Sequence, residues 1–193
     1  MSIQEMNYKM DMSYPNTLCT WEEFEAMRII TENDVLTGIP NLYKFTRDTE
    51  KLIKSNTDKT YAFIVFDINR FSLINDIYGS EEGDRLLKFI GSTLKSNLSE
   101  STLYCHMYAD HFAILLENNH DIDYALLAIT LSEETAKYSS ELEVILSFGV
   151  CKVNNYESTV SALCNKANLA KKTVKGSVLH LLAFYDEALK KLG

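Results

Sequence analysis

Six consecutive apolar residues, Tyr61–Phe66, predict a strand buried on both faces. Asp67 ends the run, Asn75-Asp76 and Tyr78-Gly79 follow as a polar turn region, and Gly83-Asp84 opens the next helical pattern. Upstream, Thr20 and Glu23 form a capping box for a helix from Trp21 to about Thr31, whose apolar residues are Trp21, Phe24, Met27, Ile29 and Ile30. Pro40 and Asn41 mark a turn that starts a second helix, with Leu42, Phe45, Leu52 and Ile53 facing inward. Downstream, Leu86, Leu87, Ile90, Leu94 and Leu98 recur at the 3.6-residue period of a helix over Glu82–Leu98. Leu103–Met107 and Phe112–Leu116, separated by Tyr108-Ala109-Asp110-His111, predict a β-hairpin. A helix from Asp121 or Asp123 to about Tyr138, a strand over Glu143–Val153 and a helix over Thr159–Val174 come next. A short strand over Leu181–Tyr185 and a final helical turn or two over Asp186–Leu192 end the pattern.

The order α, α, β, α, β, β, α, β, α, β mixes hairpin-joined strands with crossover helices. It implies an α+β fold, a five-stranded mixed or antiparallel sheet with helices on its faces and one helix ahead of the core. Met1–Thr20 is polar, Met-rich and unpatterned, the composition of a loose arm. The expected division is an arm and helix over 1–33, one domain over 34–188 and a short tail over 189–193.

A net charge of -8 argues against a nucleic-acid-binding surface, because phosphate neutralisation needs clustered Lys and Arg. A single nucleotide held through a metal stays compatible with it. Cys19, Cys105, Cys151 and Cys164 are far apart and form no CxxC, so free, mostly buried thiols and a reduced, cytoplasmic setting are expected. No run reaches the length of a membrane span, and no signal-peptide h-region is visible, so no membrane contact by this segment is expected.

A carboxylate at the end of a buried strand is costly unless it meets a cation, hydrogen-bond donors or water. Asp67 therefore reads either as part of a metal or phosphate site or as the cap of a following helix. His106, His111 and His120 lie near Cys105, yet their spacing matches no closed zinc motif. Tyr104, Tyr108 and Phe112 suit a base-stacking platform or, more simply, the core and rim of the hairpin.

Asp34-Val-Leu-Thr-Gly-Ile-Pro-Asn41 is similar to the DxLTGLPNR opening of GGDEF domains, the diguanylate cyclase family. Asp67 through Asp84 resembles that family's DxDxFKxxNDxxGHxxGD block, Ser147-Phe148-Gly149-Val150 its SIGVA strand, Ala167 through Lys175 its ADxALYxAK helix and Tyr185-Asp186 its closing YD. The resemblance implies a palm-like α+β fold related to nucleotidyl cyclases. It also implies a reaction joining two GTP molecules, one on each of two apposed domains, into cyclic di-GMP. Two divalent metals, Mg²⁺ by expectation, polarise the triphosphate and lower the pKa of the attacking hydroxyl in that reaction. By resemblance, Asp67, the Ile68 carbonyl and Asp110 fall on the metal-binding positions, Asn75 and Asp84 on the guanine contacts and Lys175 on the phosphate contact.

The signature itself reads Tyr108-Ala109-Asp110-His111-Phe112, YADHF in place of GGDEF. Both glycines, which let phosphates lie against the peptide N–H groups, are gone. His111 replaces an acid and is a poor partner for Mg²⁺. Ser72 stands in place of a lysine, Asn69 of an aspartate, His106 of an arginine ahead of the signature and Leu179 of an arginine after the helix. The RxxD product-inhibition site should begin at Ser99 and end at Thr102, and neither of its residues is present. The resulting expectation is a degenerate GGDEF domain, a regulatory or interaction module beside an attached or separate EAL or sensor domain. A GTP-binding regulatory domain and a weakly active cyclase are the alternatives. The Trp21–Thr31 helix has too few apolar residues for sustained heptads, so a strong homodimer through it is not expected.

Overall fold

The computed structural model describes residues 20–118, 123–153, 158–177 and 180–186. They divide into two units between Thr31 and Glu32. The first consists of helix α1, Trp21–Glu32, up to its last residue. Its capping box forms as the sequence predicts: the Glu23 N–H donates to Thr20 Oγ1 at 3.1 Å, and the Thr20 N–H donates back to Glu23 Oε2 at 2.8 Å. The Trp21 and Phe24 rings stack with centroids 5.7 Å apart.

The second unit runs α2 (Leu42–Ser55), β1 (Tyr61–Ile68), α3 (Phe71–Tyr78), α4 (Ser80–Asn97), β2 (Leu103–Tyr108), β3 (His111–Glu117), α5 (Tyr124–Ala136), β4 (Leu146–Val153), α6 (Val160–Lys172) and β5 (Leu182–Phe184). The five strands lie in the order β2-β3-β1-β4-β5. All neighbours are antiparallel except β4 and β5, which are parallel. The predicted mixed five-stranded sheet is therefore present, with the apolar run at its centre.

Because side chains alternate across a strand, β1 feeds two cores. Ala62, Ile64, Phe66 and Ile68 pack with Ile74 of α3, Leu86, Ile90 and Leu94 of α4 and Leu131 of α5. Tyr61, Phe63 and Val65 pack with Phe45 and Ile53 of α2 and with Val160, Leu163 and Ala167 of α6. Cys105, Cys151 and Cys164 are free and buried, as expected, and burial pushes the Cys164 thiol up to about 11. Cys19 lies outside the described residues.

Two local readings change. Asn75-Asp76 and Tyr78 are not a polar turn but part of α3, a helix of 8 residues that ends at Gly79, φ 89°. One buried residue, Ile74, anchors it, and so short a helix leaves little periodicity to read. Asp67 is not a cap either. It lies inside β1, and α3 is preceded by Arg70 in the left-handed region, φ 57°, with no side-chain cap. Of the two proposed starts for α5, Asp123 is the cap, accepting from the N–H groups of Ala125 and Leu126, while Asp121 lies outside the described residues. His120, Leu179, most of the final helical turn and the 189–193 tail also lie outside them.

Candidate functional site

Asp67 occupies an odd position of β1, so it shares a face with Phe63 and Val65 and points under α6. Helix α6 can lie close there because β4 carries Gly149, the partner of Val65. A Cβ on Gly149 would sit 2.0 Å from the Ala167 carbonyl oxygen, 2.7 Å from the Lys171 nitrogen and 2.8 Å from Lys171 Cβ. This close approach lowers the end of α6 onto the carboxylate. Lys171 Nζ lies 2.9 Å from Asp67 Oδ2, and Lys175 Nζ donates to the same oxygen at 2.7 Å. Asp67 is fully buried and Lys171 only 3% exposed, whereas the Lys175 side chain is 46% exposed. Burial pushes the Lys171 ammonium below its ordinary value, although the Asp67 carboxylate pulls it the other way.

The β2–β3 hairpin supplies the opposite wall. Its two-residue turn survives without glycine: Tyr108 pairs with His111, and Ala109 takes φ 49° in the left-handed region. A register shift between His106 and Tyr108 accompanies it. An L-residue held there costs about 1 kcal/mol. Ala109→Gly is therefore expected to raise stability by about 0.5–1 kcal/mol, read as a higher urea midpoint with unchanged slope.

His106 braces this turn. Its Nε2 lies 2.8 Å from the Ala109 carbonyl oxygen and its Nδ1 2.9 Å from Asp34 Oδ1, which joins the Asp34-to-Asn41 loop to the hairpin. Burial pushes the Asp34 carboxyl up, but the Thr37 hydroxyl and amide together with His106 outweigh it and leave the group below the usual carboxylate value.

His111 reaches both acids. Its Nε2 is 3.8 Å from Asp67 Oδ2 and its Nδ1 3.1 Å from Asp110 Oδ1, while its ring stacks on Tyr108 at 4.7 Å. Burial pushes the Asp110 carboxyl up, yet the His111 imidazole overcomes this and holds it below the ordinary range. A cavity of about 470 Å³ opens between hairpin and helix, lined by Asp67, Tyr108, His111, Asn165, Asn168, Leu169, Lys171, Lys172 and Lys175.

Of the residues singled out from the sequence, Asp67, Asp110, His111, Tyr108 and Lys175 come together here. Ile68 is buried at the end of β1, opposite Leu146. Asn75 and Asp84 do not line the cavity. The Asn75 Oδ1 is buried against Gly83, where an added Cβ would come within 1.9 Å of it, and Asp84 is exposed on α4. Neither forms a side-chain cap for α4, whose preceding residue is Gly79.

The donor set does not fit a hexacoordinate divalent cation. Mg²⁺ requires oxygen ligands at about 2.0–2.1 Å in octahedral array. Here Asp67 Oδ2 is shared by two ammonium groups, and Asp110 faces an imidazole. Among the described residues, no group of three or more His, Cys, Asp or Glu is arranged to hold a metal ion.

The profile of the family described as "Diguanylate cyclase, GGDEF domain" matches residues 31–177. The chain belongs to the GGDEF family. Among curated relatives it is 29% identical over 171 residues to the uncharacterized protein YhcK of Bacillus subtilis, covering 87% of this chain and 44% of YhcK. It is 30% identical over 118 residues to the diguanylate cyclase DgcM of Escherichia coli K12, covering 60% of this chain and 28% of DgcM. The chain thus spans less than half the length of these relatives. Its fold resembles that of the diguanylate cyclase SiaD of Pseudomonas aeruginosa, solved with its activator SiaC, at a TM-score of 0.73 over 84% of this chain and 65% of that one, with 23% identity. Among the described residues no helix is long and apolar enough to cross a membrane.

Sequence reasoning missed Lys171. In the ADxALYxAK pattern that Ala167 through Lys175 follows, Lys171 stands where the GGDEF family has leucine. A charged residue at an apolar position of a packed helix, four residues before Lys175, is the signal that pointed to it.

Proposed function

We propose that this GGDEF domain serves as a non-catalytic regulatory module in cyclic di-GMP signalling, acting on an attached or separate EAL or sensor partner. The observation that carries the reading is the commitment of Asp67 to Lys171 and Lys175, at the position where the family's chemistry requires a metal ligand. Tyr108 and Ala109 support it, since the hairpin no longer offers a glycine backbone to a triphosphate. Loss of one preorganised electrostatic contact typically costs about 10²–10³ in rate, and several are missing here. Such losses are not additive, but one or two suffice to leave negligible turnover.

The expected result is no cyclic di-GMP from GTP with Mg²⁺ or Mn²⁺, even at high protein concentration and long incubation. Product that vanishes in an Asp110→Asn variant overturns the proposal and restores the cyclase reading.

Nucleotide binding without turnover is a second reading, favoured by the three lysines that face the cavity: Lys171, Lys172 and Lys175. Lys175 is its phosphate contact, with Asn75 and Asp84 as the base contacts that the family resemblance assigns. Calorimetric titration of GTP, with and without Mg²⁺, tests it: heat of binding that weakens in Lys175→Ala supports the reading, and no heat at millimolar GTP removes it.

A further inference from the structure

We infer that Lys171 is a tethered cation that holds the position beside Asp67 and closes this carboxylate to divalent metal. The inference builds on the non-catalytic reading of the site, yet it makes a separate claim: the loss of metal binding lies in one side chain and is reversible by replacing it.

The geometry leaves Lys171 little alternative. A surface lysine lays its stem along apolar groups and lifts the ammonium to water. Here the helix is pressed onto β4 at Gly149, the whole residue is 3% exposed, and the ammonium ends 2.9 Å from Asp67 Oδ2. That approach is an ion pair without an aligned hydrogen bond, so donor capacity remains on Nζ, and Asp67 Oδ1 likewise has no hydrogen-bond partner in the protein. The two groups therefore meet as opposite charges at a position where a metal would need the same oxygen. Lys175 cannot play this part as firmly, because its side chain is half in solvent and free to turn away. His111 stands between the two acids, 3.8 Å from Asp67 and 3.1 Å from Asp110. With the Lys171 charge gone and Lys175 turned into solvent, the Asp67 carboxylate, whose Oδ1 has no hydrogen-bond partner in the protein, is left to accept a hard cation such as Mn²⁺.

The experiment is a Mn²⁺ titration followed by electron paramagnetic resonance, on the full chain and on Lys171→Leu. Leucine is chosen because it keeps an apolar stem of similar reach. The unsubstituted protein is expected to show no Mn²⁺ site that involves Asp67. Lys171→Leu is expected to bind Mn²⁺ at least about ten-fold tighter, the size of effect that a neighbouring charge has on a carboxylate. The double variant Lys171→Leu with Asp67→Asn, in which neither buried charge remains, is expected to lose that gain.

A Lys171→Leu protein that is folded by circular dichroism and binds no tighter overturns the inference, and Lys171→Met serves in its place if the leucine variant does not fold. The unsubstituted protein supplies an independent check: Mn²⁺-induced broadening of the Asp67 and Ile68 backbone amide resonances at micromolar metal also overturns it. The two readings fail separately. Cyclic di-GMP formation without metal at Asp67 removes the regulatory reading alone, whereas Mn²⁺ at Asp67 without product removes this inference alone.

Discussion

Asp67→Ala is expected to destabilise the domain by about 3–5 kcal/mol, the cost of leaving one member of a buried ion pair without its partner. Domains of this size have a total stability of about 5–15 kcal/mol, so the variant loses a large share of it. The reason is Lys171 rather than Lys175. Lys175 is 46% exposed and turns into water at little cost, while Lys171 is held at 3% exposure by the contact of α6 with β4.

The effect also has a pH signature. Lys171 already sits below its ordinary value of 10.5 because of burial, with Asp67 opposing that shift, and removing the carboxylate lowers it further. Between the depressed folded value and 10.5, the unfolded chain holds the Lys171 proton and the folded chain does not. More protons on the unfolded state means stability rises with pH across that window. The Asp67→Ala protein should therefore recover stability on the alkaline side more steeply than the unsubstituted protein. Adding Lys171→Leu should restore most of the loss at neutral pH and remove the extra alkaline slope. Urea midpoints of the four proteins of this double-mutant cycle provide the measurement. A loss under about 1 kcal/mol for Asp67→Ala would mean that Lys171 finds another partner or water.

The same pair shows how far the sequence carried. The apolar run Tyr61–Phe66 announced a central strand because burial on both faces needs nothing beyond the run itself. The Thr20 cap was legible, and Asp123 as one of two candidate helix starts, because the donors such caps satisfy lie within three residues. Asp67 was recognisable as chemically loaded, since a carboxylate after such a run demands an explanation. Its partners were not all recognisable. Lys171 looks like a solvated helix position until Gly149, more than twenty residues earlier, is seen to admit the helix backbone. Burial of that lysine is a property of two elements packed together, and its one local trace is a lysine where the helix motif has leucine. Helix α3 escaped for a different reason, because 8 residues with a single buried side chain resemble a turn. Resemblance placed Asn75 and Asp84 on one ligand; the structure adds that the Asn75 oxygen lies against Gly83, a side-chain orientation that motif spacing does not encode.

Gly149→Ala tests the contact on which this site depends, and a loss of about 3 kcal/mol is expected, at the upper end of overpacking costs. What distinguishes Gly149 is the kind of atom in the way. At Gly83 an added methyl group meets the end of the Asn75 side chain, which can rotate, so the cost there should be small. Gly149 instead faces helix backbone, the Ala167 carbonyl oxygen at 2.0 Å and the Lys171 nitrogen at 2.7 Å, and backbone inside a helix yields only if α6 moves as a unit. Gly38 and Gly176 are useful contrasts, because an added Cβ meets nothing within 4 Å at either and their φ values of +72° and +84° alone make alanine unfavourable. Alanine there should cost about 1 kcal/mol through backbone strain. Lifting α6 from β4 would also draw Lys171 away from Asp67, so Gly149→Ala should make the Lys171 amine accessible to acylating reagents that do not modify it in the unsubstituted protein. Peptide mapping after brief acetylation reads this directly. A stable Gly149→Ala protein with Lys171 still protected would mean that α6 reaches the carboxylate without the close contact, and that the buried ion pair does not depend on this glycine.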